Sequence, residues 1–87
     1  MENTIARFLV IEIFEGVPGE VGEGQPLKVV GSVDTNTYDE LASSVHEYLS
    51  RYGMTYEILF EGAVYGDVSL TVRLDNEEEY SYTVLEL

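Results

Sequence analysis

Residues 37–53, TYDELASSVHEYLSRYG, decide the fold, because no other stretch of the chain has helical periodicity. Thr37 and Glu40 have the spacing of a capping box. The threonine hydroxyl can accept the Glu40 N–H while the glutamate reaches back to the Thr37 N–H, satisfying two donors that the first turn orphans. Asp39 and Glu40 put negative charge at the positive end of the helix dipole. Tyr38, Leu41, Val45, Tyr48, Leu49 and Tyr52 recur at spacings of three and four and therefore share one face. Asp39, Ser43, His46, Glu47, Ser50 and Arg51 take the other, with Glu47 and Arg51 in the favourable i,i+4 order. Gly53 supplies a left-handed stop.

On either side the period changes to two, the signature of strands. Residues 5–15 set Leu9, Ile11 and Ile13 against Phe8, Val10, Glu12 and Phe14, apolar on both faces as a central strand is. Residues 16–26 form a loop with Gly16, Gly19, Gly22, Gly24, Pro18 and Pro26. It leads into a strand rather than a helix and carries Glu20 and Glu23, so it does not read as a phosphate cradle. Residues 27–34 are the second strand of the hairpin. After the helix, residues 55–61 set Tyr56, Ile58 and Phe60 against Glu57, Leu59 and Glu61. Residues 68–74 turn Val68, Leu70, Val72 and Leu74 inward and Ser69, Thr71 and Arg73 outward, and residues 79–87 close the chain. The short turns 62–67 and 75–78 make the last three strands an antiparallel meander. The expected fold is α+β: a single ββαβββ two-layer domain over residues 1–87, its helix on one face of a mainly antiparallel four- or five-stranded sheet.

Charge is the strong departure from an ordinary composition. Seventeen Asp and Glu stand against four Lys and Arg, a formal net charge of -13. Direct binding to nucleic acid or an anionic membrane needs clustered positive charge, and Arg7, Lys28, Arg51 and Arg73 are scattered. A basic protein surface is the natural counterpart. No apolar run approaches the ~18 residues of a membrane helix, and Met1-Glu2-Asn3-Thr4 lacks the basic region of a signal peptide. The absence of cysteine removes disulfides and thiolate metal sites and fits a reducing cytoplasm.

Catalytic chemistry finds no footing. His46 has Ser43 and Ser50 one turn away, but no nucleophile elbow or oxyanion loop accompanies it, so a solvent-facing histidine is expected. Glu57 and Glu61, four strand residues apart, lie about 13 Å from one another, beyond the ~5–9.5 Å of glycosidase carboxylates. The run Asp75-Asn76-Glu77-Glu78-Glu79 lacks the glycine and the spacing of a calcium loop and reads as an acidic turn. Of seven tyrosines, Tyr38, Tyr48, Tyr52 and Tyr56 fall on core positions, whereas Tyr65, Tyr80 and Tyr82, near acidic turns, are the ones expected to be exposed. No catalytic residue, cofactor or metal is expected.

In size, acidity and lack of cysteine the chain resembles small phage-encoded inhibitors of host defence, the anti-CRISPR proteins and the DNA-mimicking restriction and glycosylase inhibitors. That resemblance implies a non-enzymatic, cofactor-free inhibitor in the cytoplasm of a bacterial host, a monomer or homodimer. It would occupy the nucleic-acid channel of a CRISPR effector or another DNA-handling enzyme. The carboxylates expected to carry the contact are Glu20 and Glu23 of the loop, Asp39, Glu40 and Glu47 of the helix, and Asp75, Glu77, Glu78 and Glu79 of the turn, with Tyr80 beside them. A second reading is a ubiquitin-like β-grasp module, since the element order fits and Tyr56–Gly62 (YEILFEG) resembles the strand after the helix in that family. That reading expects parallel first and last strands and no conjugation, because the sequence stops at Val84-Leu85-Glu86-Leu87 without a Gly-Gly tail. A ligand-free structural domain is the third.

Overall fold

The computed structural model describes residues 7–16 and 27–86. The elements are β1 (Phe8–Gly16), β2 (Lys28–Val33), α1 (Tyr38–Arg51), β3 (Tyr56–Val64), β4 (Asp67–Leu74) and β5 (Glu79–Glu86). They build one five-stranded sheet in the order β2-β1-β5-β4-β3 with α1 against one face, the expected α+β arrangement. Every strand pair is antiparallel, including β1 with β5. The first and last strands are thus neighbours but not parallel, which departs from the pairing a β-grasp requires. The 16–26 loop lies outside the described residues except for Gly16, which ends β1. None of the described helices is long and apolar enough to cross a membrane.

Helix α1 begins and ends as its sequence dictates. The Thr37 hydroxyl accepts the Glu40 N–H at 3.4 Å, one half of the capping box. At the other end Gly53, at φ 70°, lets the Gly53 N–H reach the Ser50 carbonyl at 3.0 Å and the Met54 N–H reach the Leu49 carbonyl at 2.9 Å. This is the Schellman pattern, and a side chain at Gly53 would strain it. Between the caps Leu41, Val45 and Leu49 are fully buried on Val10, Leu70, Val72, Tyr82 and Val84. Burial of each such side chain contributes roughly 1.5–3 kcal/mol. The helix also presses on β2, where a Cβ at Gly31 would lie 2.9 Å from the Ser44 hydroxyl. Only glycine admits that approach without moving Ser44.

Three expectations are corrected. Between Ile58 and Phe60 the β3–β4 register shifts, leaving Leu59 as an extra residue. The bulge moves Phe60 to the uncovered face, opposite Thr71, and Glu61 to the helix side, opposite Leu70. Glu57 and Glu61 therefore do not share a face. A similar shift in the β1–β2 register leaves Val30 as an extra residue on β2. Tyr82, expected near the surface, is 0% exposed at the centre of the core, and Tyr52, expected inside, is 65% exposed because it is the C-cap of α1.

The uncovered face of the sheet divides in two. Over β4 and β5 it is hydroxyl-rich, with Thr71 and Ser81 hydrogen-bonded at 2.9 Å. Over β1 and its neighbours it is apolar, with Leu9, Ile11 and Ile13 beside exposed Val29 and Leu85.

Since Leu49 is buried on all sides, Leu49→Ala should lower unfolding free energy by about 2–5 kcal/mol. That is a large part of the ~5–15 kcal/mol a domain holds. A urea midpoint shifted far down at unchanged m-value is the expected result.

Candidate functional site

Strand register gathers most of the described carboxylates into two groups at opposite ends of the sheet, with Glu12 and Glu47 in neither. Leu74 pairs with Tyr56, and Glu79 pairs with both Arg73 and Gly16, so Glu15, Glu57, Asp75, Glu77, Glu78 and Glu79 gather where β4 turns into β5. Seven residues of β4 away, about 24 Å at ~3.4 Å per residue, lies the start of α1. There Asn36 donates to the Asp67 carboxylate at 3.2 Å and accepts the Val68 N–H at 3.4 Å, tying the helix N-terminus to the β3–β4 hairpin. Asp34, Asp39, Glu40, Glu61 and Asp67 stand around that tie, all exposed.

The two ends differ in what their carboxylates already do. At the β4–β5 end Glu78 accepts the Tyr80 hydroxyl at 2.8 Å and the Asn76 amide at 3.2 Å. Glu79 holds Arg73 at 2.9 Å, the one ion pair among the described residues. Asp75 accepts the Thr55 hydroxyl at 3.4 Å. Glu77 stands at φ 71°, in the left-handed position that hairpins of this length give to glycine. Tyr80 is half-buried, with its ring 5.2 Å from that of Phe14. These acids knit the turn. Around the helix N-terminus only Asp67, held by Asn36, has such a partner among the described residues. The Tyr38 phenol is pushed up to about 12 by burial and then by the neighbouring Glu61 carboxylate.

The hairpin beside the second group is itself unusual. Tyr65 and Gly66, at φ 53° and 88°, form a two-residue turn with both φ positive. That turn normally takes Asn, Asp or Gly at its first position. Tyr65 is 101% exposed there, so its ring packs on nothing while its backbone is strained.

The structure therefore does not join the expected contact residues into one surface. Asp75, Glu77, Glu78, Glu79 and Tyr80 are brought together. Asp39 and Glu40 are at the far end, Glu47 is exposed on the outer face of α1, and Glu20 and Glu23 lie outside the described residues. Asp34, Glu61 and Asp67 join Asp39 and Glu40 through chain crossings that no local pattern records.

A cleft of about 290 Å³ opens beside the C-terminal half of α1, bounded by Glu12, Lys28, Tyr48, Tyr52, Met54 and Tyr80. Glu12 sits mid-strand on the helix side of β1, between Val10 and Phe14, and accepts the buried Tyr82 hydroxyl at 2.7 Å. Tyr48 meets Tyr52 and Tyr82 edge-on, with centroids 5.3 and 6.5 Å apart. Lys28 is the cross-strand partner of Glu12, yet its ammonium turns to the Tyr48 hydroxyl at 3.2 Å and lies 5.8 Å from that ring's centroid. This bond to Tyr48 holds the Lys28 ammonium above its ordinary pKa. The sequence signal was a lone charge on the apolar face Phe8, Val10, Glu12, Phe14.

His46 is exposed, with Tyr56 Oη at 3.1 Å from Nδ1 and Ser50 Oγ at 3.5 Å from Nε2. The serine contact is at the limit of a hydrogen bond, and a phenol does not stabilise an imidazolium as a carboxylate does. Among the described residues no group of three or more His, Asp or Glu is arranged to hold a metal. Compared with family models, curated proteins and solved structures, the chain matches none.

Two outcomes are expected. Glu77→Gly removes a left-handed penalty of ~1–2 kcal/mol and adds a glycine entropy cost of ~0.5–1 kcal/mol. It should raise thermal stability by a few degrees, which Glu77→Lys should not match. Burial, followed by the bonds to Glu12 and Glu78, raises the Tyr82 and Tyr80 phenols well above their ordinary 10.0. The folded state thus keeps protons that the unfolded chain releases above about pH 10, so stability holds from pH 7 to 9 and falls beyond. Tyr82→Phe should flatten that alkaline slope in urea melts.

Proposed function

We propose that the chain is a non-enzymatic protein-binding inhibitor that places its acidic ends in the basic nucleic-acid channel of a larger DNA- or RNA-handling enzyme, such as a bacterial CRISPR effector. The observation that carries this reading is the group Asp34, Asp39, Glu40, Glu61 and Asp67 around the helix N-terminus, five exposed carboxylates with no ion pair among the described residues. Beside it Tyr65 is held fully exposed at the strained tip of a hairpin. Strain of this kind persists where a side chain is needed outside the fold. A phenol ringed by carboxylates suits an arginine-rich surface through hydrogen bonding and cation–π contact. The second acidic group, about 24 Å away along β4, gives the molecule two negative poles. That span equals roughly seven phosphate steps of ~3.4 Å along one DNA strand. The match is in charge spacing rather than in register. Cytoplasmic action in a bacterial host accords with this reading, and no cofactor takes part.

The experiment is a capture from bacterial lysate at low salt, followed by a binding assay of the captured enzyme with duplex DNA. Inhibitor and DNA should exclude each other, and the complex should weaken steeply as salt rises from 50 to 200 mM, as polyelectrolyte contacts do. Tyr65→Asn separates stability from binding. It relieves the turn and should raise stability by about 1 kcal/mol while lowering affinity for the partner. Affinity indifferent to salt, or a ternary complex with DNA in its normal channel, would refute the proposal.

A further inference from the structure

We infer that the cleft bounded by Glu12, Tyr48, Tyr52 and Tyr80 is a binding site for an organic cation, an alkylammonium or guanidinium head group. The site lies at the opposite end of α1 from the free carboxylates, and the inference is independent of the channel-blocking reading. Three observations point to the same ligand.

The first is the wall. Tyr48, Tyr52 and Tyr80 border the same cleft, with Tyr48 and Tyr52 inclined at 70°. Aromatic faces attract a cation lying within ~6 Å of a ring centroid. Tyr52 is largely exposed and yet borders this cleft, an uncommon position for a ring with no core to fill.

The second is the anion on the helix side of β1. Glu12 accepts one hydroxyl, from Tyr82, whose phenol is kept protonated by burial and by that bond. No cation of the described residues comes within ion-pair distance of it, although Lys28 is directly across the strand. A part-buried carboxylate with a single hydrogen bond among the described residues and spare lone pairs is an incomplete pair.

The third is that the wall already holds an ammonium. Lys28 leaves its cross-strand carboxylate and donates to the Tyr48 hydroxyl at 3.2 Å. The chain's own lysine thus bonds a hydroxyl of the wall, leaving the ring faces and the carboxylate for a second cation. An incoming head group would lie between Glu12 and the tyrosines and displace Lys28 outward. At about 290 Å³ the cleft is at the lower bound of the ~300–1,000 Å³ pockets that take drug-sized molecules. It suits one side chain or one small amine.

The test uses the full chain, isotope-labelled on its tyrosine rings, titrated with N-acetyl-arginine amide and separately with choline at constant ionic strength, with KCl as the control. Saturable shifts of the Tyr48, Tyr52 and Tyr80 rings, absent with KCl, are expected for at least one probe. The tighter probe identifies the source: arginine amide a guanidinium side chain of a protein, choline a quaternary ammonium. Glu12→Gln keeps an acceptor for Tyr82 and should weaken binding about tenfold. Tyr52→Ala, at an exposed cap, should weaken it without unfolding the domain, and Lys28→Ala should strengthen it. Shifts that follow KCl for both probes, or equal binding by the Glu12→Gln and Tyr52→Ala variants, would overturn the inference whether or not a partner enzyme is found.

Discussion

One short helix has to cover a sheet wider than itself, and that constraint shapes the molecule. Fourteen residues of α1 make a rod about 21 Å long but only about 10 Å across. Five strands span some 19 Å from edge to edge. Leu41, Val45 and Leu49 close the middle of one face completely. The opposite face and the margins are left to other devices. Hydroxyls pair over β4 and β5, and a half-apolar strip remains over β1. The space beside the last turns of α1 is bordered by tyrosines rather than aliphatic side chains.

Those tyrosines explain how a chain of this charge keeps a carboxylate on the inner side of a central strand. Glu12 is tolerated there because Tyr82, wholly buried, brings its hydroxyl to it across 70 residues of sequence. The same pairing recurs at Tyr80 with Glu78. Phenols are suited to this role, since the ring adds apolar area and the hydroxyl satisfies the acid without introducing a positive charge. A lysine or arginine in each place would neutralise the surface that the remaining carboxylates build.

Much of this was legible from residue spacing, and the failures have a common cause. Thr37, Glu40 and Gly53 mark the helix because caps are local chemistry. The alternation through residues 68–74 marks β4 because β4 itself carries no inserted residue, the misfit with β3 lying on the β3 side. Period two cannot register an inserted residue, so simple alternation runs straight through Leu59 and puts Phe60 and Glu61 on each other's faces. Tyr82 follows an acidic turn, and its burial depends on β5 lying between β1 and β4, a matter of strand order. The same order decides that Asp39 joins Asp34, Glu61 and Asp67 and not the 75–79 turn. Glu12 is legible in the sequence as a lone charge among Phe8, Val10 and Phe14. What it faces across the cleft is not.

The extra residues Val30 and Leu59 fall on β2 and β3, the two outermost strands. An open strand margin with Ile58, Leu59 and Phe60 at the surface invites another copy to zip alongside and propagate into fibrils. A single misfit residue in each margin divides the template into pieces too short to zip, and a net charge of -13 keeps copies apart in the first place. The molecule can thus afford apolar borders at high concentration near neutral pH, and acidification, which silences the repulsion, leaves the misfits as its remaining safeguard.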